Sequence, residues 1–263
     1  MSLKLFVLAC LTSVLASCGG GPSAPPASIT TGNWSLTATS NASVASVLGG
    51  SFAQSGSSVF ATMNAGSDTS SCLGRLSAAP FAGSFEGKNL TLTSAPINGM
   101  IVTLKATGAG NELTGNYSVE GGCAAGEQGT IEARYVQPLT GAWRGNIKNP
   151  DGTFLGTISV DLTQSSAAKN GDFPLTGVVY YDIPLPGQTS GGCVFSGTIP
   201  SDTAQASVTG NFVVISAAAT SAPGCANGDI TLVGTMTEAS GPTLIYGVVQ
   251  NMSKPFALVK IRP

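Results

Sequence analysis

The tetrapeptide TGNW, Thr31–Trp34, returns as TGAW, Thr140–Trp143, in the second half of this 263-residue chain. Two further pairs of segments repeat in the same order: 71–94 with 192–216, and 101–119 with 230–249. Three ordered matches are typical of an internal duplication. The boundary falls near Gln137-Pro138, so we expect one repeat at 30–137 and a second at 138–263.

Each repeat has the composition of a β-rich domain. The chain contains 35 glycines and 42% apolar residues, and turn signals separate short apolar runs, which favours many short strands. Ile158, Val160 and Leu162 alternate with polar Thr157 and Ser159, the pattern of a half-buried strand. We predict eight strands in each repeat. They lie near 32–40, 49–55, 58–64, 72–86, 88–95, 100–107, 112–120 and 128–136 in the first, and near 141–147, 154–164, 173–182, 193–209, 211–217, 228–236, 242–249 and 255–262 in the second.

The TGxW motif at the start of each repeat resembles the Gly-x-Trp motif in the first strand of lipocalins and avidins. Those families are eight-stranded meander barrels, and in lipocalins an arginine from the end of the chain packs across the tryptophan. The resemblance implies that Trp34 and Trp143 close the barrel floors, with Arg134 and Arg262 as cation–π partners. We therefore predict an all-β fold of two tandem antiparallel meander barrels. Two β-sandwiches or one larger sheet would give a similar pattern.

Four cysteines are spread over the two repeats: Cys72, Cys123, Cys193 and Cys225. An even number in an exported chain is typical of disulfides, and four cysteines allow three pairings. In a meander, successive strands end at opposite rims, which places the two cysteines of each repeat at one rim. Pairs Cys72–Cys123 and Cys193–Cys225 are therefore geometrically possible. Zinc binding is the alternative, but the chain has no CxxC pair and no histidine.

The N-terminus carries an export signal. A charged start precedes an apolar run of about eleven residues, Leu5–Leu15, too short to span a bilayer as a helix. The run ends in LASC, Leu15–Cys18, which closely resembles the bacterial lipobox and implies removal of residues 1–17 and lipidation of Cys18, with palmitate among the expected acyl chains. An ordinary signal peptide with an incidental cysteine is the alternative. Residues 18–29 then form a flexible linker.

The residue after the lipidated cysteine bears on location. By resemblance to enterobacterial sorting, Gly19 implies transport to the outer membrane, with the protein facing either the periplasm or the cell surface. The combination of lipobox, Gly/Pro linker and TGxW repeats is also similar to lipoproteins of soil bacteria such as Acidobacteria, a resemblance that implies no activity.

Charge and composition argue against several functions. Only 9% of residues are charged and the net charge is −2, so no basic surface is available for nucleic acid. The absence of histidine removes Ser-His-Asp and Cys-His catalysis and histidine metal sites. Carboxylate pairs could still support glycoside hydrolysis, although scattered acids are usually surface charges. The candidates are Glu127, Glu132, Asp161, Asp172 and Asp182.

An eight-stranded barrel is either filled by side chains or holds one small ligand. The second repeat is rich in aromatic side chains, which are candidate ligand contacts, with ordinary core packing as the alternative. They are Trp143, Phe154, Phe173, Tyr180, Tyr181 and Tyr246. The segment Ile183–Gly192 is the longest predicted loop and a candidate lid or contact surface.

The sequence thus predicts a lipid-anchored, non-enzymatic envelope protein that binds a small apolar or aromatic ligand or an envelope partner. We expect no catalytic residue, metal, cofactor or nucleic-acid partner. The alternatives are a structural or adhesive surface module that contacts glycan or protein, and a carboxylate-dependent glycosidase.

Overall fold

In a computed structural model of the protein, the described residues are 28–66, 72–184, 192–200, 205–221, 228–237, 244–249 and 253–261. The first repeat forms a closed antiparallel barrel in which each strand pairs with the next and the last pairs with the first. Its strands are β1 (Gly32–Ser40), β2 (Ala45–Ser55), β3 (Ser58–Ala65), β4 (Ala79–Glu86), β5 (Asn89–Ser94), β6 (Met100–Ala109), β7 (Glu112–Gly121) and β8 (Gln128–Tyr135).

The second repeat closes in the same way, with β9 paired to both β10 and β17. Its strands are β9 (Gly141–Lys148), β10 (Phe154–Gln164), β11 (Phe173–Pro184), β12 (Gly192–Ile199), β13 (Ala206–Thr209), β14 (Phe212–Ser221), β15 (Gly228–Thr237), β16 (Leu244–Val249) and β17 (Lys254–Lys260). Both β12 and β13 pair antiparallel with β11 and with β14. They therefore share one position in the ring, which makes the second barrel eight-stranded too.

The prediction of two tandem antiparallel meander barrels is confirmed, rather than β-sandwiches or one larger sheet. Closure of both rings leaves neither barrel with a free edge to pair with another chain. Two predicted strands differ from the structure by more than four residues. The strand predicted at 193–209 is interrupted between β12 and β13. The one predicted at 72–86 begins only at Ala79, because a 3₁₀ turn, Leu73–Arg75, first buries Leu73 and Leu76 at the end of the barrel.

Each barrel has two rims, and we call the one at which β1 or β9 begins the motif rim. Cys72 and Cys123 lie at the opposite rim of the first barrel, before β4 and after β7, and form a disulfide with Cα atoms 6.0 Å apart. The predicted pairing is confirmed for this bond. The side chain of Cys193, and Cys225 entirely, lie outside the described residues, so the second bond stays a prediction.

Buried side chains fill the interior of both barrels. Trp34, Leu48 and Met63 are among the largest fully buried residues of the first barrel, and Trp143 and Ile147 among those of the second. Each set belongs to a contiguous cluster that extends through its barrel. Removal of this apolar surface from water is the main stabilising contribution to each barrel.

Glycines allow the strands to bend tightly enough to close such small rings. A Cβ atom at Gly83 in β4 would lie 1.8 Å from the carbonyl oxygen of Thr91 on the neighbouring strand. One at Gly145 in β9 would lie 1.6 Å from the carbonyl oxygen of Ala257. No side chain fits at these positions, as is usual where a β-sheet turns a sharp corner.

The two barrels are joined by a polar contact. Two turns at the motif rim of the second barrel, β10–β11 and β13–β14, lie against the outer wall of the first. Asn33 is buried there: its Nδ2 donates to the carbonyl oxygen of Gly210 (3.0 Å), and its Oδ1 accepts from the Gly210 N–H (2.7 Å). A Cβ at Gly49 would lie 2.5 Å from the Gly210 nitrogen, so the backbones are in direct contact.

A second polar cluster extends this junction. Asn64 of β3 donates from Nδ2 to the carbonyl oxygen of Asn170 (2.9 Å) and to Asp172 Oδ1 (2.8 Å). Thr209 Oγ1 also donates to Asp172 Oδ1, so one carboxylate links three elements. The second barrel is thereby fixed on the wall formed by β1, β2 and β3.

Candidate functional site

The TGxW motif forms the same hydrogen-bond cluster in both barrels. Trp34 Nε1 donates to the carbonyl oxygen of Thr30 (2.8 Å), and Trp143 Nε1 donates to that of Leu139 (2.9 Å). Each indole thus holds the segment that enters its own first strand. A buried Trp usually finds such a partner for its N–H.

A glutamine at the end of the second strand completes each cluster. Gln54 Oε1 accepts from the Ile29 N–H (2.9 Å), and the Gln54 N–H donates to Thr31 Oγ1 (3.5 Å). In the second barrel Gln164 bonds to Thr140 Oγ1 (3.0 Å) and to the Leu139 N–H (2.9 Å), because Pro138, at the position of Ile29, has no N–H. The indole N–H and the threonine hydroxyl of each motif are therefore used within its own barrel, which indicates a structural role for them.

In the first barrel, the side chain that covers the tryptophan is not the predicted arginine. Arg134 points outward, with its side chain 61% exposed and its Nε 3.9 Å from Glu112 Oε1. Tyr135, directly opposite Trp34 in the β1–β8 register, packs edge-on against the indole at 6.2 Å. The prediction for Arg134 is wrong, because successive residues of a strand face opposite sides.

The second barrel places a cation at the equivalent position. Lys260 is opposite Trp143 in the register, and its Nζ lies 5.7 Å from the ring centroid, within the range of a cation–π contact. Arg262 lies outside the described residues. The glycine of each motif makes room for the covering side chain: a Cβ at Gly32 would lie 2.8 Å from Tyr135, and one at Gly141 would lie 3.0 Å from Lys260.

The six aromatic residues predicted as ligand contacts do not line one cavity. Trp143, Phe173 and Tyr181 are buried in the core of the second barrel, where Tyr181 stacks on Phe195 with 4.4 Å between ring centroids. The other three, Phe154, Tyr180 and Tyr246, are exposed on its outside. Of the candidate lid Ile183–Gly192, the positions 185–191 lie outside the described residues.

The largest of the described pockets is a groove of about 660 Å³ on the outer wall of the second barrel. We call it the outer groove. The outward side chains that line it are Arg144, Asn146, Thr157, Ser159, Tyr180, Asp182, Val194 and Val259. A second pocket of about 460 Å³ shares Asn146 and Val259 with the outer groove, and Tyr246 also lines it.

Strand register explains why these residues meet. Tyr180, Ser159, Arg144 and Val259 are direct partners on four successive strands, β11, β10, β9 and β17. A second row runs beside the first and consists of Val194, Asp182, Thr157, Asn146 and Ala257. Adjacent strands are about 4.8 Å apart, so the first row extends roughly 14 Å across the wall. The alternation noted for β10 already places Thr157 and Ser159 outward, but only the pairing brings them beside Tyr180.

The polar side chains of the outer groove are free to bind a ligand. Within the described part of the chain, no side-chain hydrogen bond or ion pair is formed by Arg144, Asn146, Thr157, Ser159 or Asp182. Their guanidinium, amide, hydroxyl and carboxylate groups offer both donors and acceptors. Tyr180 adds an aromatic face that is 46% exposed.

The carboxylates considered for glycoside hydrolysis have other surroundings. Glu127 accepts a hydrogen bond from Tyr117, and Asp172 belongs to the barrel junction. Asp161 and Asp182 lie on neighbouring strands, but four residues apart in register, or about 13 Å along the strand. Glu132 is exposed on the outer wall of the first barrel. Among the described residues there is no group of three or more His, Cys, Asp or Glu that could hold a metal ion.

The fold and this groove define a protein with two fused meander barrels and a polar, aromatic surface on the second. No protein-family model, curated protein or solved structure matches the chain. In the part of the chain described, no helix is long and apolar enough to cross a membrane.

Proposed function

We propose that this protein is a lipid-anchored, non-enzymatic component of the bacterial cell envelope that binds an envelope partner through the outer groove of its second barrel. The observation that supports the groove is the contrast between the two sides of the wall. Inside, Trp143, Phe173 and Tyr181 belong to a packed core. Outside, Tyr180 lies beside a row of polar side chains without intramolecular partners.

The chemistry of the outer groove favours a glycan as that partner. A sugar ring has C–H-rich faces that pack on an aromatic side chain, and hydroxyl groups that both donate and accept hydrogen bonds. Tyr180 supplies the aromatic face, and Asn146, Thr157 and Ser159 supply neutral donors and acceptors. The single cation and single anion, Arg144 and Asp182, balance each other, which suits an uncharged polymer better than a polyanion.

The anchor is proposed from the LASC sequence at Leu15–Cys18 and the linker behind it. Ser28 and Thr30 exchange hydrogen bonds with Gly110 in the β6–β7 turn: the Gly110 N–H donates to the Ser28 carbonyl oxygen and the Thr30 N–H to that of Gly110. The linker therefore joins the body at the motif rim of the first barrel. With about ten residues it reaches roughly 30 Å at most, so this rim faces the membrane in our proposal.

Binding to isolated cell-wall glycan tests the groove. The purified lipoprotein is co-sedimented with peptidoglycan, and we expect Tyr180→Ala and Asp182→Ala each to weaken binding about tenfold or more, in line with the loss of a contact residue. Phe60→Ala is the matched control, because Phe60 is an exposed aromatic residue (57%) on the first barrel. Wild-type binding by Tyr180→Ala would contradict the proposal.

Mass spectrometry of the mature protein tests the anchor. We expect the chain to begin at an acylated Cys18 and to fractionate with the membrane, and Cys18→Ala to leave an unprocessed, unacylated chain. A mature N-terminus at another residue, without fatty acid, would rule out the anchor while leaving the groove experiment unaffected.

A further inference from the structure

The pocket of about 460 Å³ beside the outer groove opens onto an apolar surface on β15, β16 and β17. Val233, Tyr246 and Val248 are 40%, 47% and 45% exposed on this surface. Exposed apolar side chains that adjoin one another mark interaction sites on a protein. We call this surface the apolar wall. Strand pairing and the pocket lining bring together its six residues, which are Val233, Tyr246, Val248, Pro255, Ala257 and Val259.

The first barrel shows that the fold does not require apolar residues at these positions. Gly115 of β7 and Gly247 of β16 are equivalent, since a Cβ at either would lie 2.0 Å from a carbonyl oxygen of the neighbouring strand, that of Lys105 or of Val233. At the six positions equivalent to the apolar wall, the first barrel has only exposed polar side chains. They are Lys105, Thr114, Asn116, Thr130, Glu132 and Arg134. Because both barrels close in the same way, the apolar wall has a role other than closure of the barrel.

The size of the apolar wall favours a small ligand over a protein. Its six side chains are few beside the roughly 20–30 residues that each partner contributes to a stable protein interface. Val233, Val248 and Pro255 are direct partners on three strands, and Val259 lies further along the strand of Pro255. The diagonal from Val259 to Val233 is therefore about 16 Å long. An extended alkyl chain advances about 1.25 Å per CH₂ group, so a chain of about twelve carbons covers this diagonal.

The apolar wall is continuous with the outer groove, because Val259 belongs to both and Asn146 lines both pockets. One surface thus has polar side chains at one end and apolar side chains at the other. We propose that its ligand is a glycolipid, an envelope glycan that carries an acyl chain: the sugar binds in the outer groove, and the acyl chain lies on the apolar wall. This inference rests on the glycan groove proposed above and adds the lipid part of the ligand. Full burial of one CH₂ group strengthens binding about fourfold.

Titration calorimetry with alkyl maltosides tests the inference on the chain from Gly19 onward, which is the mature protein of our proposal without its acylated cysteine. The probes are maltose and octyl, decyl and dodecyl maltoside, each below its micelle concentration. Octaethylene glycol monododecyl ether supplies the dodecyl chain without a sugar. We expect the affinity to rise at least tenfold from octyl to dodecyl maltoside, and the sugar-free ether to bind at least tenfold more weakly than dodecyl maltoside. No saturable binding of dodecyl maltoside, or equal affinities within either pair, would overturn the inference.

Variants assign the chain-length effect to the apolar wall. Val233→Lys combined with Val248→Asn introduces the residue types that the first barrel has at the equivalent positions, so the fold accommodates them. This double variant should bind dodecyl maltoside at least tenfold more weakly, yet sediment with peptidoglycan like the wild type. Val44→Asn is the matched control, because Val44 is similarly exposed (49%) on the first barrel, and it should leave the affinity unchanged. If the double variant binds dodecyl maltoside like the wild type, the inference is overturned, whereas the glycan proposal fails only if Tyr180→Ala sediments like the wild type.

Discussion

At the scale of single residues, the contact between Tyr117 and Glu127 makes the first barrel sensitive to high pH. The buried Tyr117 hydroxyl donates to Glu127 Oε1 at 2.6 Å. Burial, this hydrogen bond and the nearby negative charge, in that order, raise the pKa of Tyr117 well above its usual value. Because the unfolded chain ionises near pH 10 and the folded chain does so only at higher pH, the contribution of Tyr117 to stability is complete below pH 10 and decreases above it.

The variant Tyr117→Phe removes both the hydrogen bond to Glu127 and the ionisable hydroxyl, so it tests the contribution of Tyr117 to stability and to its pH dependence. At pH 7 the variant should unfold about 1–2 kcal/mol more easily, because it lacks a hydrogen bond to a carboxylate. Above pH 10 the gap between variant and wild type should narrow, as measured by denaturant titration across the pH range. Glu127→Gln keeps an acceptor for the Tyr117 hydroxyl but removes the negative charge. The pH dependence of its stability should therefore differ less from the wild type than that of Tyr117→Phe does. A gap that is constant from pH 7 to pH 11 would contradict the assignment.

The residues around the tryptophans show what a sequence motif can and cannot predict. TGxW correctly placed Trp34 and Trp143 at equivalent positions in the first strands of two closed barrels. It did not identify the side chains that cover them, because that depends on the register of the last strand, which no local pattern reveals. The register selects Tyr135 and Lys260, an aromatic ring and a cation, and these positions share no recognisable sequence.

At the scale of strands, Gly83 limits how tightly the first barrel closes. The Thr91 carbonyl oxygen lies 1.8 Å from the position of a Cβ at this residue. Gly83→Ala should therefore force β4 away from β5 and reduce the free energy of unfolding by about 2 kcal/mol, a typical cost of overpacking. Gly87→Asn is a control in the adjoining turn, where no atom lies within 4 Å and where Asn tolerates a positive φ. Equal stability of the two variants in denaturant would show that the strands can separate without cost.

The Cys72–Cys123 disulfide ties together two loops at the rim opposite the motif. It closes a loop of 51 residues, for which the chain-entropy model gives about 4 kcal/mol of stabilisation. The double variant Cys72→Ala/Cys123→Ala should lose most of this amount in denaturant unfolding. Non-reducing peptide mapping should find this bond together with the predicted Cys193–Cys225 bond, and a peptide that joins Cys72 to Cys193 would contradict both.

Most strands were predictable because alternation and turns are local. In β5 the side chains of Leu90 and Leu92 are buried while Thr91 and Thr93 are exposed, as their spacing requires. The strand predicted at 72–86 differs because a loop packs back onto the barrel there. At 72–78 the apolar Leu73 and Leu76 read as strand residues, yet they are buried from a 3₁₀ turn, and apolar character alone does not distinguish the two geometries.

At the scale of the whole molecule, the junction between the barrels was invisible in the sequence. It depends on two asparagines, Asn33, where the second motif has Ala142, and Asn64, and on turn residues that carry no periodic signal. The outer groove was hidden for the same reason: its two rows combine β10 and β11 with β9, β12 and β17, and the pairing of distant strands is a property of the closed ring. Aromatic content pointed to the second barrel, which carries the outer groove, but it did not indicate a side of the barrel wall.

The junction makes a prediction about how the protein unfolds. Asn33 satisfies both backbone groups of Gly210 in a buried contact, and Asn64 holds Asp172 nearby, so we expect the wild-type barrels to unfold in one cooperative calorimetric transition. Asn33→Ala leaves the Gly210 N–H and carbonyl without partners, which should lower the free energy of unfolding by about 3 kcal/mol. Asn33→Asp should lose at least as much, because it buries a carboxylate whose second oxygen faces the Gly210 carbonyl oxygen.

Combining Asn33→Ala with Asn64→Ala should split the transition in two, because each barrel has its own core and the junction alone couples them. The disulfide-free variant then identifies the components, since loss of Cys72–Cys123 should move only the transition of the first barrel. Two separate transitions in the wild-type protein would show that the barrels are joined but not coupled.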